Sequence, residues 1–255
     1  MTGAEQLAIV AAGLGAGVLT STVGVASLLS FPVLVAVGLP PVVANASNTV
    51  GMTPAGISGS FGYRRELKEH PKVTAAVVAT CMIGSIAGAT LLLALPPGVF
   101  EAVVPWLILF TCVLVGAQPR ISSWLRQRDG ADSAEQRTTM SPITTFFAVL
   151  TGVYGGYFGA GSGVMMLAVL GLGLDIELRI TNALKTLAVL AANVVAAVIF
   201  IFAADLNWAA VGLLAVGSVV GGYVGAHIGR RLPPALFRSL IVLFGVTASV
   251  MMLLR

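Results

Sequence analysis

The chain has 255 residues, of which 57% are hydrophobic and only 9% are charged. Soluble domains carry roughly 25% charged residues, so this composition excludes an ordinary globular enzyme or binding module and points into a membrane. The formal net charge of +4 does not argue for nucleic acid, because the basic residues sit in loops between apolar runs, where the positive-inside rule puts them.

In chain order, residues 5–37 form a long apolar segment interrupted by glycines, followed by clean spans at 42–63, 73–94 and 99–118. A polar stretch, PRISSWLRQRDGADSAEQRTTMSP, reads as an exposed linker. A second Gly-interrupted segment, 142–174, is followed by spans at 179–203, 207–229 and 234–254. Each long segment exceeds one upright crossing of about 20 residues but falls short of two. A pair of half-length helices folded back at the glycines is therefore expected. The start of the chain carries Glu5 and no Lys or Arg before its apolar run, unlike the basic front of a cleavable signal peptide, so it is expected to stay in the mature fold. Cys81 and Cys112 lie inside apolar runs and are expected to pack as small residues without a disulfide.

The two segment series are one series repeated at a spacing of 137 residues. Gly24 falls on Gly161, Asn45-Ala46 on Asn182-Ala183, Thr49 on Thr186, Gly88-Ala89 on Gly225-Ala226, and Leu95-Pro96-Pro97 on Leu232-Pro233-Pro234. Residues 1–118 read as a first transmembrane repeat, 119–141 as a cytoplasmic linker and 142–255 as a second repeat. Such repeats are typical of secondary transporters. Twelve of the fourteen basic residues fall at 64–72, 120–137, 179 and 230–238. Putting all four clusters on the cytoplasmic side requires each long segment to fold back, which makes the two repeats inverted in topology. The expected fold class is thus all-α and polytopic, with two inverted repeats, each a Gly-broken re-entrant helical hairpin followed by three transmembrane helices.

Irregular backbone at membrane depth survives only where it is buried in protein or lines a cavity. The breaks GLGAGVLTSTVG (13–24) and GVYGGYFGAGSG (152–163) are therefore candidate ligand loops, with Gly24, Gly161 and Gly163 allowing close approach and Ser21, Thr22, Ser162 and Tyr157 offering donors. The competing assignment makes the glycines tight helix-packing devices. A second constellation is ANASNT against TNALKT. Asn45, Asn48 and Thr49 share one helix face by their spacing, and Asn182, Lys185 and Thr186 repeat it. An intramembrane lysine costs at least ~2.5–3.5 kcal/mol on insertion scales and by default marks a functional site. If the two faces meet near the midplane, they suit a small oxyanion. The rival is a set of interhelical hydrogen bonds, with Lys185 snorkelling to an interface. No metal or cofactor is called for by any cluster, and no Asp or Glu lies deep in a span.

The strings GYFGAGSGVMMLAVLGLGLDIELRITNALKTLAVLAANVVAAVIF and ANASNTVGMTPAGISGSFGYRREL resemble the TauE/SafE family of sulfite and organosulfonate exporters, over nearly the whole chain. The resemblance implies an exporter of a small sulfur-containing anion, such as sulfite, thiosulfate or an organosulfonate, set as a multi-pass protein in a bacterial inner membrane. Its partners would be that anion and the lipid bilayer, with a homodimer left open. One departure is STVGVAS in the first repeat, where the family has a run of glycines. Alternatives are a transporter of another small anion or carboxylate and, more remotely, an intramembrane serine hydrolase using Ser162 and His227. The spacing around Ser162 does not match the usual glycine-flanked nucleophile of such a hydrolase.

Overall fold

The protein, seen in a computed structural model, consists of α1 (Gly3–Thr22), α2 (Ser27–Ala36), α3 (Pro41–Phe61), α4 (Pro71–Ala94), α5 (Pro97–Arg128), α6 (Pro142–Tyr157), α7 (Ser162–Gly173), α8 (Leu178–Ala203), α9 (Trp208–Ile228) and α10 (Pro234–Leu253), with a 3-10 turn at Glu66–Lys68. The structure describes residues 1–22, 25–61, 63, 65–128, 138–228 and 234–254, without the side chains of 21–22, 58–59, 61, 126, 225–228 and 234–237. Proline sets many of the starts. Five helices open on one, because its fixed φ suits the first turn and its missing N–H is not needed there.

No strand occurs among the described residues. Gly3–Thr20, Pro71–Ala94, Pro97–Leu125 and Leu178–Ala203 are each long and apolar enough to cross a membrane, with shorter apolar helices between and after them. The chain is therefore an all-helical polytopic membrane protein. The six expected spans coincide with α3, α4, α5, α8, α9 and α10 to within a few residues, except at the end of α5. Pro119 does not stop that helix, which continues to Arg128. Its last turns are held by Leu125, buried against the edge of Gly171 in α7, so the front of the expected linker is helix.

Both long segments fold back on themselves. In the second, Thr144 at the start of α6 lies against Gly173 at the end of α7, so the two helices run side by side in opposite directions. In the first, Leu29 of α2 touches Gly15 of α1. The helices of this first hairpin are unequal, 20 residues against 10, where two half-length helices were expected. Gly13, Gly15 and Gly17 do not break α1, because they serve contacts along its flank.

Those contacts belong to two glycine seams. Gly13 faces Leu214 and Gly217 of α9, and one turn on Gly17 faces Ser218 and Gly221. Likewise Gly84 of α4 faces Val149 and Gly152 of α6, and Gly88 faces Val153 and Tyr157. Contact order rises along both partners in each seam, so α1 runs parallel to α9 and α4 parallel to α6. A methyl at Gly17, Gly84, Gly88 or Gly221 would collide with a backbone carbonyl of the partner helix. Helix association in lipid depends on such close backbone approach. The contact map is unchanged in kind when the halves are exchanged: α1·α9 answers α4·α6, α3·α9 answers α4·α8, α2·α3 answers α7·α8, and α3·α8 and α5·α10 answer themselves.

Candidate functional site

The second hairpin turns through Phe158–Gly161. Gly159 and Gly161 adopt φ of +80° and +77°, a left-handed region that glycine alone enters without penalty. Gly161 caps α7, and Ser162 closes the turn by donating both its amide and its hydroxyl to the Gly159 carbonyl, at 3.2 and 2.9 Å. The Ala160 carbonyl accepts from Tyr154 Oη (2.7 Å) and from Thr111 Oγ1 of α5 (3.0 Å). Below the turn Phe158 meets Phe31 of α2 edge to face at 5.4 Å, and Tyr157 meets Phe100 of α5 at 5.5 Å. The tip is thereby bolted to α2 and α5. Neither Thr111 nor Phe31 stands out in the sequence, since each is an ordinary residue in an apolar run whose role depends on what crosses it.

The Asn45 face of α3 meets this tip. Asn45, 1% exposed, donates from Nδ2 to the Tyr157 carbonyl at 3.0 Å. Asn48, also 1% exposed, accepts from Ser30 Oγ of α2 at 2.5 Å. Thr49 donates to the Asn45 carbonyl within its own helix. The face thus ties α3 to the second hairpin and to α2.

The matching face of α8 behaves differently. Lys185 Nζ donates to Asn182 Oδ1 at 3.2 Å, Asn182 Nδ2 to the Leu178 carbonyl at 2.9 Å, and Thr186 Oγ1 to the Asn182 carbonyl at 2.8 Å. Every one of these bonds stays inside α8. Among the described residues no carboxylate pairs with Lys185. The ions near this end are used elsewhere: Arg179 bridges Glu66 (3.2 Å), Glu69 (3.0 Å) and Glu177 (3.6 Å), fastening the α3–α4 connection to the start of α8.

The two faces do not converge. Gly56 of α3 lies against Leu190 of α8, while Ser47 accepts from the amide of Asn207, past the far end of α8. The helices therefore cross antiparallel, and at 1.5 Å per residue Asn45 and Lys185 are separated by roughly 20 Å along them. The expected meeting of both faces at the midplane is corrected on this point: related positions on two antiparallel helices lie on opposite sides of the crossing. Of the remaining candidates, Gly161, Ser162 and Gly163 lie buried at the second tip and the start of α7, and Tyr157 stands at the end of α6. Gly24 and the side chains of Ser21, Thr22 and His227 lie outside the described residues. Sequence reasoning passed over Asn193, near the middle of α8. Its Oδ1 lies 3.9 Å from where a Cβ on Gly159 would sit.

Gly-seamed apolar helices, back-folded hairpins and an ammonium in a membrane-length helix that no carboxylate pairs with among the described residues are the build of a membrane transport protein. Residues 9–252 match the sulfite exporter TauE/SafE family, and the chain belongs to that family of membrane transporters. Similar proteins include a probable membrane transporter protein, ORF9, of a Sinorhizobium species, 25% identical over 93% of this chain and 88% of the relative. Another, from Haemophilus influenzae, is 24% identical over 97% and 95%, and YfcA of Escherichia coli is 23% identical over 93% and 86%. No solved structure matches the chain.

Proposed function

We propose that the protein is a secondary transporter, working as an exporter, of a small sulfur-containing anion such as sulfite, thiosulfate or an organosulfonate. The observation that carries this reading is Lys185: a part-buried ammonium two turns inside α8 that no described carboxylate neutralises. A charge so placed is stabilised by an anion that enters and leaves. Asn182 and Thr186 flank it on the same face, and Gly24 with the side chains of Ser21 and Thr22, which lie outside the described residues, are assigned to the anion from the repeat pattern alone. Asn45, Asn48, Thr49, Tyr157, Gly161, Ser162 and Gly163 form a second, neutral centre on the other side of the α3–α8 crossing. The two repeats are inverted in the membrane, with the basic loops inside, so the two centres lie toward opposite compartments. The anion is held at the charged centre around Lys185, which opens to one side and then the other as the repeats rock. The neutral centre, whose donors are spent within the protein, braces the second hairpin. This chemistry involves no bond making and calls for no catalytic group.

Binding of sulfite, thiosulfate, sulfoacetate, taurine, phosphate and a simple carboxylate to the purified protein tests the substrate class. Sulfur oxyanions are expected to bind most tightly. Tighter binding of the carboxylate turns the assignment toward a carboxylate transporter. Topology is checked by cysteine labelling from outside, which should reach 204–206 and miss 64–72 and 230–232. Labelling of 230–232 sinks the inverted arrangement.

A further inference from the structure

The second hairpin tip holds more acceptors than donors. At the end of α6 the amides of Phe158 and Gly159 both turn back to the Tyr154 carbonyl, each at 3.0 Å, so the Gly155 carbonyl loses the donor that a continuing helix would supply. The first amides of α7 are spent inside the turn, Ser162 N on the Gly159 carbonyl and Val164 N on the Gly161 carbonyl. The positive end of α7 is thereby largely used up, while the carbonyl end of α6, the negative end of its dipole, remains. Asn45 reaches this end from α3. Its Nδ2 is engaged by Tyr157, and its Oδ1 is buried with no donor among the described residues. From α8, Asn193 Oδ1 approaches the same turn: a Cβ built on Gly159 would lie 3.0 Å from the Gly155 carbonyl and 3.9 Å from Asn193 Oδ1. Three segments therefore bring neutral oxygens to one turn, and a buried amide oxygen left unbonded is costly.

We infer that this turn is a sodium-binding site, formed by the Asn45 and Asn193 amide oxygens with the Gly155 and Tyr157 carbonyls, and that it couples transport to a sodium gradient. Hard oxygen ligands without a carboxylate suit a hard monovalent cation, and helix ends at a discontinuous helix serve coupling ions in membrane transporters. Amide and peptide oxygens do not take up protons near neutral pH, so the site discriminates against proton coupling. The bound cation would also join α6, α3 and α8, which belong to both repeats, and so favour one arrangement of the hairpin. The coupling role rests on the transporter reading above; the site itself does not.

The test is binding of radioactive Na⁺ to the purified full chain in detergent, with chloride as the sole anion, together with melting temperature in NaCl against choline chloride at equal ionic strength. Wild type should bind Na⁺ saturably and melt higher in NaCl. Asn193→Ala and Asn45→Ala should each raise the half-saturating Na⁺ by roughly tenfold or more, the loss of one ligand, while Asn193→Asp, which adds a negative charge, should lower it. If Asn45→Ala does not fold, the Asn193 pair decides. Equal melting in choline and sodium, or unchanged Na⁺ affinity in Asn193→Ala, overturns the site. Because no transported anion is present, failure of the sulfur-anion assignment leaves this result standing. Na⁺ binding with anion flux that ignores a sodium gradient overturns the coupling role.

Discussion

The Asn45–Thr49 face of α3 and the Asn182–Thr186 face of α8 descend from one repeated pattern and end in opposite states. On α3 the middle position is Asn48, and its oxygen is closed by Ser30 of α2 at 2.5 Å. On α8 the same register carries Lys185, and the register of Ser30 carries Leu167, an apolar residue 2% exposed. One face is finished by its neighbours; the other keeps an ammonium whose only described bond is to its own helix. The repeat thus preserves the scaffold while two positions decide which side of the molecule bears charge.

The largest effect should come from removing that charge. Lys185→Ala should weaken anion binding by about 1.5–3 kcal/mol, roughly tenfold to over a hundredfold, in equilibrium titrations. Lys185→Arg should recover only part, because a planar fork does not replace a compact ammonium. Lys185→Asn, which copies the first repeat, should resemble the Ala variant. Wild-type affinity in folded Lys185→Ala would move the anion away from α8 altogether.

Next comes the tip that the Asn45 face grips. Gly161→Ala should lower stability by about 1–3 kcal/mol, since a side chain at φ +77° is strained and its Cβ would sit 2.5 Å from Thr111 Cγ2. Melting temperature and anion affinity measured on the same sample separate two roles: lost stability with intact affinity removes the tip from anion binding. Ser30→Ala should cost about 1–1.5 kcal/mol by leaving Asn48 Oδ1 buried and unpaired, visible as a lower melting temperature with Lys185-dependent binding unchanged. An equal loss of anion affinity would mean the two faces are coupled despite their separation.

The smallest effect lies at the rim. Arg179→Ala breaks an exposed cluster, whose ion pairs are screened by solvent and contribute little to stability. The carboxyl of Glu66 is held below its usual range by its own backbone N–H and then by Arg179, with burial opposing. Its contribution is therefore present above the ordinary value of 4.5 and lost as pH falls below it. A melting profile should show that loss in wild type and a shallower one in Arg179→Ala.

Much of this was legible in one dimension. Membrane-length apolar runs, prolines at helix starts and a fixed 137-residue register depend on local preferences and on the thickness of the bilayer, so they identify the spans, the back-folded segments and the two polar faces without any knowledge of packing. Pro119 shows the limit of local signals, because α5 passes through it to bury Leu125 against Gly171. Glycine shows it again. Gly13, Gly17, Gly152 and Gly156 look like part of a break and are packing contacts, whereas Gly159 and Gly161 turn the chain; only the partner helix and the sign of φ tell them apart. The separation of Asn45 from Lys185 was set by the antiparallel crossing of α3 and α8, a relation between distant segments that no spacing along the chain encodes. Residue types determined what each face could bond. Tertiary structure decided which face found partners on other segments and which bonded only within its own helix, because a buried polar group that its own helix does not satisfy depends on what a distant segment brings within about 3 Å of it.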